Sequence, residues 1–361
     1  MEEVPTRGGA SSPASISTSS EVKSAHIRSA GGEKTGSSSP SKSPSNVASL
    51  PATTGKVLPK SGQGGQSQIS QKAREDPDKP AIRIYEATEA QYLNFLVYSD
   101  FGTGKTYLMA TAAALPSMRD VIMLDAEAGA LTLKREEEDD PYNFRSIDLL
   151  PVTNFKQVNK GYQFLKRHCM LRDANDVEGL RKLEAWVKGK DPSEIIEPRR
   201  YRTVIVDSLY EVEAYCRYQL TGVTESQAID VEPAPEEWAE YKKNMTMISR
   251  FIRAFRDLRM NTLFTCPQQY SQDETKKRVY GPMMTGQLSS RVQGFMDVVG
   301  WLVRARVGGD DEGKMRRRLY VQPTGKFQAK CRFSAFKGDY FDDPTIETIM
   351  KAVKLPLRTP Q

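Results

Sequence analysis

A short glycine-rich stretch, set between an apolar run and a helical pattern, constrains the fold of this chain more than any other feature. It reads Tyr98-Ser99-Asp100-Phe101-Gly102-Thr103-Gly104-Lys105-Thr106 and follows the apolar residues 93–97. The stretch is close to the phosphate-binding pattern G-x-x-x-x-G-K-[ST], with a serine where the first glycine is expected. A buried strand, a loop of this kind and a helix in succession predict an α/β fold.

The backbone amides of such a loop can surround an anion, because glycine leaves no Cβ in the way. The following helix directs its positive end at the same place. Lys105 would reach the β- and γ-phosphates of ATP, and the Thr106 hydroxyl would ligate Mg²⁺. The alternative is a glycine-rich turn with a chance lysine, and the strand–loop–helix context favours the nucleotide. The predicted nucleotide-binding residues are Ser99, Asp100, Phe101, Gly102, Thr103, Gly104, Lys105, Thr106 and Tyr107.

Bulk composition argues against several kinds of site and partner. The 361 residues contain 52 Lys and Arg against 46 Asp and Glu, and this net charge of +6 permits nucleic-acid contact without requiring it. Only two histidines occur, and no C-x-x-C pair, so zinc, disulfide and histidine-based sites are not expected. Cys169, Cys216, Cys266 and Cys331 are expected to be small buried side chains. No apolar run reaches the ~18 residues of a membrane helix, and a signal-peptide core is lacking, so we expect a soluble, cytoplasmic protein without membrane contact.

The first 80 residues are rich in Ser, Gly, Pro, Thr and Lys and almost free of aromatic side chains. Such a composition cannot bury enough apolar surface to offset chain entropy, so we expect a disordered tail. A tether and a segment that binds a protein partner are equally compatible with it. The predicted folded domain covers residues 81–355, and residues 356–361 form a short second tail.

Beyond residue 81, apolar runs alternate with helical patterns. Strands are predicted at residues 82–85, 93–98, 120–125, 203–207, 262–266 and 298–303. Helices are predicted at residues 105–114, 155–168, 177–188, 211–220 and 236–260, and a basic β-hairpin at about 316–333. Because the strands are apolar throughout, they predict a mainly parallel central sheet flanked by helices, with the hairpin at its C-terminal end. Trp238, Tyr241 and the apolar spacing over residues 245–255 predict a stripe that faces the core.

A carboxylate at the end of a predicted strand is the candidate metal ligand. Asp207 ends the apolar run 203–207, and Ser208 follows it. In enzymes with a phosphate loop, an acid at this place holds Mg²⁺ together with the loop hydroxyl, here Thr106. The alternative is an aspartate that caps a strand or opens a helix. The phosphate loop about 100 residues upstream favours the metal role.

The acidic segment after strand 120–125 is the candidate for activating water. Glu127 stands where a carboxylate can orient or deprotonate the water that attacks the γ-phosphate. The alternative is a solvated acidic turn with Gly129 as its hinge. We favour the catalytic role for Glu127 and assign no role to Asp125.

The end of strand 262–266 carries a candidate sensor of the γ-phosphate. Gln268 is the predicted residue, although Pro267 disturbs the register and leaves Gln269 open as the alternative. An amide at this point can bond a γ-phosphate and transmit its loss to the next loop. An ordinary polar strand end is the other interpretation.

The loop at residues 271–285 is a candidate contact for single-stranded DNA. It holds Lys276, Lys277 and Arg278 close to Tyr280. Cations can follow the phosphates of a single strand while aromatic rings stack on its bases. Acidic residues in the same loop dilute its charge, so a solvated loop remains the alternative.

Two cations near the C-terminus are candidates for action on a neighbouring subunit. Lys330 and Arg332 point to the same side of a strand, because they are two residues apart. They could reach a neighbour's triphosphate as an arginine finger does. A basic edge strand protected from aggregation is the alternative. The predicted catalytic residues are thus Lys105, Glu127, Gln268, Lys330 and Arg332.

The order of these motifs resembles that of the RecA-like ATPases. The segment Leu124-Asp125-Ala126-Glu127-Ala128 is similar to the post-strand segment of RecA, and Lys330-Cys331-Arg332 is similar to the Lys-x-Arg of RecA-like hexameric helicases. Short phage and prophage RecA-like ATPases also share Trp238 in the long helix and Asp343-Pro344-Thr345. The resemblance covers about residues 81–355. It implies a parallel sheet, Mg-ATP, a ring or filament of identical subunits, and single-stranded DNA as a partner.

These features predict a DNA-dependent ATPase of the recombination or annealing type. One alternative is an ATP-gated DNA-binding protein that assembles with little hydrolysis. Another is a replicative helicase or packaging motor, although the sequence shows no further domain for it. A small-molecule kinase is a more distant alternative, since no lid-like arginine cluster is visible.

Overall fold

The computed structural model describes residues 92–354, apart from residues 135, 225–226, 228, 231, 233–234, 236, 273–275, 307–312 and 335–337. The chain divides into two units, Met1–Lys79 and Pro80–Gln361, and every described residue belongs to the second. The predicted tails and the predicted strand 82–85 lie outside the described residues. The proposed domain boundaries therefore stay a prediction.

The centre of the second unit is a mixed β-sheet. Its strands are β1 (Asn94–Ser99), β2 (Val121–Asp125), β3 (Asp148–Pro151), β4 (Thr203–Asp207), β5 (Asn261–Gln272), β6 (Arg278–Pro282), β7 (Val298–Arg306), β8 (Met315–Tyr320), β9 (Lys330–Cys331) and β10 (Tyr340–Asp342). The order across the sheet is β10-β8-β7-β1-β5-β4-β2-β3, with β6 on β5 and β9 on β7. The six strands from β7 to β3 are parallel, and β6, β8, β9 and β10 are antiparallel to their partners.

Helices cover both faces of this sheet. They are α1 (Lys105–Ala110), α2 (Phe155–Asp173), α3 (Val177–Lys188), α4 (Leu209–Leu220), α5 (Trp238–Arg256), α6 (Leu288–Phe295) and α7 (Ile346–Val353). Alternate residues of β1 face opposite ways, so that Leu96 packs into one apolar cluster with α2, α4, α5 and α6, while Val97 packs into another with α1 and α7. In the described part of the chain, no helix combines the length and apolar character that crossing a bilayer requires.

The predicted fold class is therefore confirmed: an α/β architecture with a mainly parallel central sheet. The predicted helix 177–188 and strand 203–207 have the bounds of α3 and β4. The α-helix predicted at 105–114 ends at Ala110 and continues as a 3₁₀-helix. The prediction that Trp238 faces the core is wrong, since its side chain is 68% exposed and stacks on Tyr241. Cys169, Cys216 and Cys266 are buried as expected, and Cys331 is half-buried.

The antiparallel parts of the sheet differ from the predicted bounds. The C-terminal hairpin is formed by β7 and β8, while residues 316–333 supply β8 and β9, which both pair with β7 and not with each other. The segment 271–285 is not only a loop, because β5 continues through Gln272 and pairs with β6. Pro267 does not interrupt β5: it pairs beside Ser99, and its carbonyl accepts a hydrogen bond from the Met283 amide.

Candidate functional site

The loop after β1 has the backbone shape that its glycines permit. Gly102 (φ 68°) and Gly104 (φ 101°) both adopt left-handed conformations, which strain any residue with a Cβ. Ser99, the serine in place of the first glycine, is instead the last residue of β1 and is fully buried. Because Ser99 has extended backbone, this position does not require a glycine. The Thr103 hydroxyl closes the turn by donating to the Asp100 carbonyl at 2.9 Å.

Lys105, the first residue of α1, is almost completely buried. Its Nζ donates to the Asp100 carbonyl at 3.3 Å and lies 5.6 Å from the centre of the Phe101 ring. Burial lowers the pKa of Lys105, and the negative charges of Glu127 and Asp207 oppose that shift. A shielded ammonium group that is held at the loop in this way suits a polyanionic ligand.

Asp207, at the end of β4, joins the loop to the neighbouring strands. The Thr106 hydroxyl donates to its Oδ2 at 2.7 Å, and the Thr265 hydroxyl on β5 donates to its Oδ1. Burial raises the pKa of Asp207, and these two hydroxyl donors oppose the shift. The sequence analysis predicts that Thr106 and Asp207 hold Mg²⁺ together, and the structure places the two side chains in contact.

The Thr106 and Asp207 oxygens are of the kind that a magnesium ion takes from a protein. Mg²⁺ prefers oxygen ligands and commonly takes only one or two from the protein, the rest coming from phosphates and water. Among the described residues, no group of three or more His, Cys, Asp or Glu side chains could hold a metal unaided. The other ligands of an ion held by Thr106 and Asp207 would be phosphate oxygens and water.

Glu127 lies in the turn after β2, beside the same carboxylate. Its backbone amide and that of Ala126 donate to the Asp207 carbonyl at 3.2 and 2.7 Å. Glu127 is exposed as a whole, but partial desolvation of its carboxyl group and the nearby charge of Asp207 raise its pKa, while Lys105 lowers it. Asp125 has a different role, since its Oδ1 accepts from the Gly129 amide and shapes this turn. Glu127 is thus electrostatically coupled to both Lys105 and Asp207.

The structure places Gln268 and Gln269 in local contacts on β5. Gln268 Oε1 accepts from the Trp301 indole at 2.9 Å, and Gln269 Nε2 donates to the Met284 carbonyl at 3.1 Å. The residue of this strand that touches Asp207 is Thr265, to which we assigned no role from the sequence. The sensor role of Gln268 stays a prediction.

Lys330 and Arg332 lie on one side of their segment, as predicted, and contact the end of α6 in their own chain. Lys330 Nζ donates to the Gln293 carbonyl at 2.8 Å, and Arg332 Nη2 donates to the Gly294 carbonyl at 2.9 Å. Arg332 also forms an ion pair with Asp297 at 3.0 Å. Cations at the carboxyl end of a helix are stabilised by its free carbonyls. Within one chain these contacts are structural, and action on a neighbour stays a prediction.

The predicted DNA-contacting residues lie around the β5–β6 hairpin. The Arg278 guanidinium lies 4.8 Å from the centre of the exposed Tyr270 ring. Lys276 adopts a left-handed conformation just before β6, and Lys277 follows it. Tyr280 is half-buried and stacks on Trp301 at 5.3 Å, so one face of its ring is already covered. Tyr270 and Arg278 therefore offer the more open surface.

Two arginines that the sequence analysis did not select also contact the loop. Arg304 on β7 donates from Nη2 to the Gly102 carbonyl at 2.9 Å. The Arg317 guanidinium on β8 lies 4.4 Å from the centre of the Tyr107 ring. A usable signal was present: Arg304 is two residues beyond the buried Leu302 on a strand beside β1. It could be used only once β7 was known to adjoin β1.

Comparisons with known proteins agree with the loop chemistry at the level of a family. A family model described as an AAA domain matches residues 91–333, which is more than half of the chain. No curated protein matches the sequence. Among solved structures, the RadB recombinase is 15% identical, with a TM-score of 0.32 and coverage of 64% of this chain and 80% of that one. The flagellar accessory protein FlaH from Methanocaldococcus jannaschii is 11% identical, with a TM-score of 0.32 and coverage of 66% and 80%.

Proposed function

Because the chain belongs to the AAA domain family, we propose that it binds ATP with Mg²⁺ and hydrolyses the γ-phosphate in response to single-stranded DNA. The observation that carries this proposal is the 2.7 Å hydrogen bond between Thr106 and Asp207. It joins the phosphate loop to an acid from a strand about 100 residues away. Such a pairing supports a metal–nucleotide site, since a chance glycine-rich turn has no reason to meet this carboxylate.

Each residue of the site has a distinct role in the proposed reaction. The amides of the loop bind the phosphates, and Lys105 neutralises part of their charge. Thr106 and Asp207 hold the magnesium ion, which supplies charge stabilisation to the leaving and transferred phosphates when bound. Glu127 orients water and accepts its proton, and its contact with the Asp207 carbonyl fixes the turn that carries it.

We also propose that the exposed tip of the β5–β6 hairpin binds single-stranded DNA. Arg278 over Tyr270 combines a cation for phosphate with a ring for base stacking. Lys276 and Lys277 extend the positive charge before β6. The proposal has three further parts: oligomerisation into a ring or filament, the action of Lys330 and Arg332 on a neighbouring subunit, and a role in phage-type recombination. They rest on the sequence resemblance.

The test is the rate of phosphate release from ATP with single-stranded DNA, with double-stranded DNA and without DNA, at one stated salt concentration. We expect Mg²⁺-dependent turnover that single-stranded DNA increases, and loss of turnover in Lys105→Ala. The variant Lys134→Ala, a lysine outside this group of residues, is the matched control and should retain the rate. ATP binding and DNA-dependent assembly without turnover would support a nucleotide-gated binding protein. Unwinding of duplex DNA would support a motor.

A further inference from the structure

Two arginines of the β7–β8 hairpin contact the phosphate loop of their own chain at its two glycines. Arg304 Nη2 donates to the Gly102 carbonyl at 2.9 Å. Arg317 Nη1 lies 3.4 Å from the position that a Cβ on Gly104 would take. The Arg304 side chain therefore contacts the loop at Gly102, and the Arg317 side chain lies close to Gly104, the residue that precedes α1.

The register of the sheet brings both side chains to this place. β7 runs parallel to β1, with Trp301 beside Tyr98, so Arg304 lies beyond the end of β1, at the level of the loop. Arg304 shares a strand face with Leu302, which is buried on the α1 side of the sheet. Arg317 is directly opposite Arg304 across the β7–β8 pair. Two guanidinium groups from adjacent strands thus meet the loop on one face.

Among the described residues, the guanidinium groups of these two arginines form no ion pair, although the Arg317 backbone amide donates to the Asp343 carboxylate at 3.2 Å. Like charges directly opposite each other on neighbouring strands are destabilising. The residues that flank Arg317 are ion-paired, Arg316 with Asp343 at 3.6 Å and Arg318 with Asp342 at 2.7 Å. In the part of the chain that the structure describes, the guanidinium contacts of Arg304 and Arg317 are a carbonyl and a ring instead of a carboxylate. An anion at the loop would relieve the repulsion.

We propose that Arg304 and Arg317 bind the phosphates of the nucleotide held by the loop of the same chain. The proposal rests on the ATP site proposed above and adds two binding residues to it. A guanidinium group presents two N–H donors in a fixed planar geometry that matches two oxygens of one phosphate, whereas the lysine ammonium group binds phosphate without that geometry. Arg304 would exchange the Gly102 carbonyl for phosphate oxygen, while Arg317 stays oriented by its contact with Tyr107. The β7–β8 hairpin is then part of the nucleotide site.

The test is equilibrium binding of fluorescent ATP and fluorescent AMP, with Mg²⁺, at two salt concentrations. The variants are Arg304→Ala, Arg317→Ala and the matched control Arg318→Ala, in which the altered side chain is on the same strand but on its opposite face. We expect Arg304→Ala and Arg317→Ala each to weaken ATP binding about tenfold, to affect AMP less, and to reduce the salt dependence of binding. Arg317→Lys should recover part of the loss, and Arg318→Ala should bind ATP as wild type does.

The outcomes separate this inference from the proposed function. If wild type binds ATP, Lys105→Ala does not, and both arginine variants bind as wild type does, the arginines are not ligands and the inference fails alone. Equal weakening of ATP and AMP with unchanged salt dependence would show a structural role and would also overturn it. If wild type itself fails to bind ATP, the proposed function fails together with the inference. The unfolding midpoint of each variant shows whether it is folded.

Discussion

Asp207 is the residue on which the candidate site depends. A buried carboxylate is costly unless hydrogen bonds or a counter-charge compensate for its lost hydration. Here the Thr106 and Thr265 hydroxyls provide part of that compensation, and Lys105 provides positive charge nearby. The Asp207 pKa is nevertheless raised by burial. A buried carboxylate whose lost hydration is only partly compensated fits a site at which a bound cation supplies the missing positive charge.

His168 gives the protein a pH-dependent stability. Its ring is buried, and Nε2 donates to the Arg199 carbonyl at 3.0 Å. Burial lowers the pKa of His168 to about 4 from its ordinary value of 6.5. Between these two pH values the unfolded chain binds a proton that the folded chain excludes, so stability falls as the pH falls. We expect this residue to remove up to about 3 kcal/mol between pH 6.5 and 4.

Urea unfolding of wild type and His168→Gln at pH 7, 6, 5 and 4.5 measures this effect. Glutamine can keep a donor for the Arg199 carbonyl but does not titrate in this range. The free energy of unfolding of His168→Gln should therefore change less steeply with pH than that of wild type. Equal slopes for the two proteins would contradict a buried neutral histidine. The other histidine, His26, lies outside the described residues and is common to both proteins.

At the residue scale, the chemical role of a residue could be predicted where a local sequence motif indicates that role. Lys105, Thr106 and Asp207 could be selected as candidates because a loop motif and an acid at a strand end have recognisable spacing. Thr265 and Arg317 were not, because their relation to the loop depends on which strands are neighbours. The sequence predicts the Gln268 amide at the nucleotide, and its contact with Trp301 arises because β5 and β7 flank β1, an arrangement that residue order does not show.

At the scale of elements, two helical glycines have opposite packing environments. A Cβ on Gly161 of α2 would lie 2.9 Å from Leu150 Cδ2 and 3.3 Å from Leu124 Cδ1, so this helix approaches the sheet closely. A Cβ on Gly294 of α6 would meet nothing within 4 Å. Alanine favours helix over glycine by up to about 1 kcal/mol, while overpacking costs about 1–3 kcal/mol.

We therefore expect Gly161→Ala to lower the free energy of unfolding by about 1 kcal/mol and Gly294→Ala to raise it by about 0.5 kcal/mol. Thermal or urea unfolding of the two variants beside wild type measures both changes, and each variant is the control for the other. Stabilisation by both substitutions would show that α2, or the ends of the Leu150 and Leu124 side chains, can move aside without cost. That result would contradict the close helix–sheet packing.

Elements with a strong local pattern were predictable, and short elements with a weak pattern were not. α3 and β4 have strong patterns, and their bounds agree with the prediction. β3 has only four residues and ends in a proline, and α6 and α7 have eight residues each. Such segments are stabilised mainly by what they pack against, so local propensity gives little signal for them.

At the scale of the whole molecule, the parallel sheet places the carboxyl ends of β1, β2 and β4 beside Thr265, which lies within β5. This juxtaposition brings the loop, Glu127, Asp207 and Thr265 into one site. The alternation of apolar runs and helices was enough to predict a parallel sheet with two covered faces. The strand order was not predicted, because pairing between distant segments depends on packing between them and not on local pattern.

The most direct test of the account is ATP affinity measured with Mg²⁺ and with EDTA, for wild type and for Asp207→Asn. Thr106 and Asp207 are proposed to hold the metal, so wild type should bind ATP at least about tenfold more tightly with Mg²⁺. Asp207→Asn should fold, bind ATP weakly and lose that dependence on Mg²⁺. An unchanged effect of Mg²⁺ in Asp207→Asn, or no binding of ATP by wild type, would contradict the account.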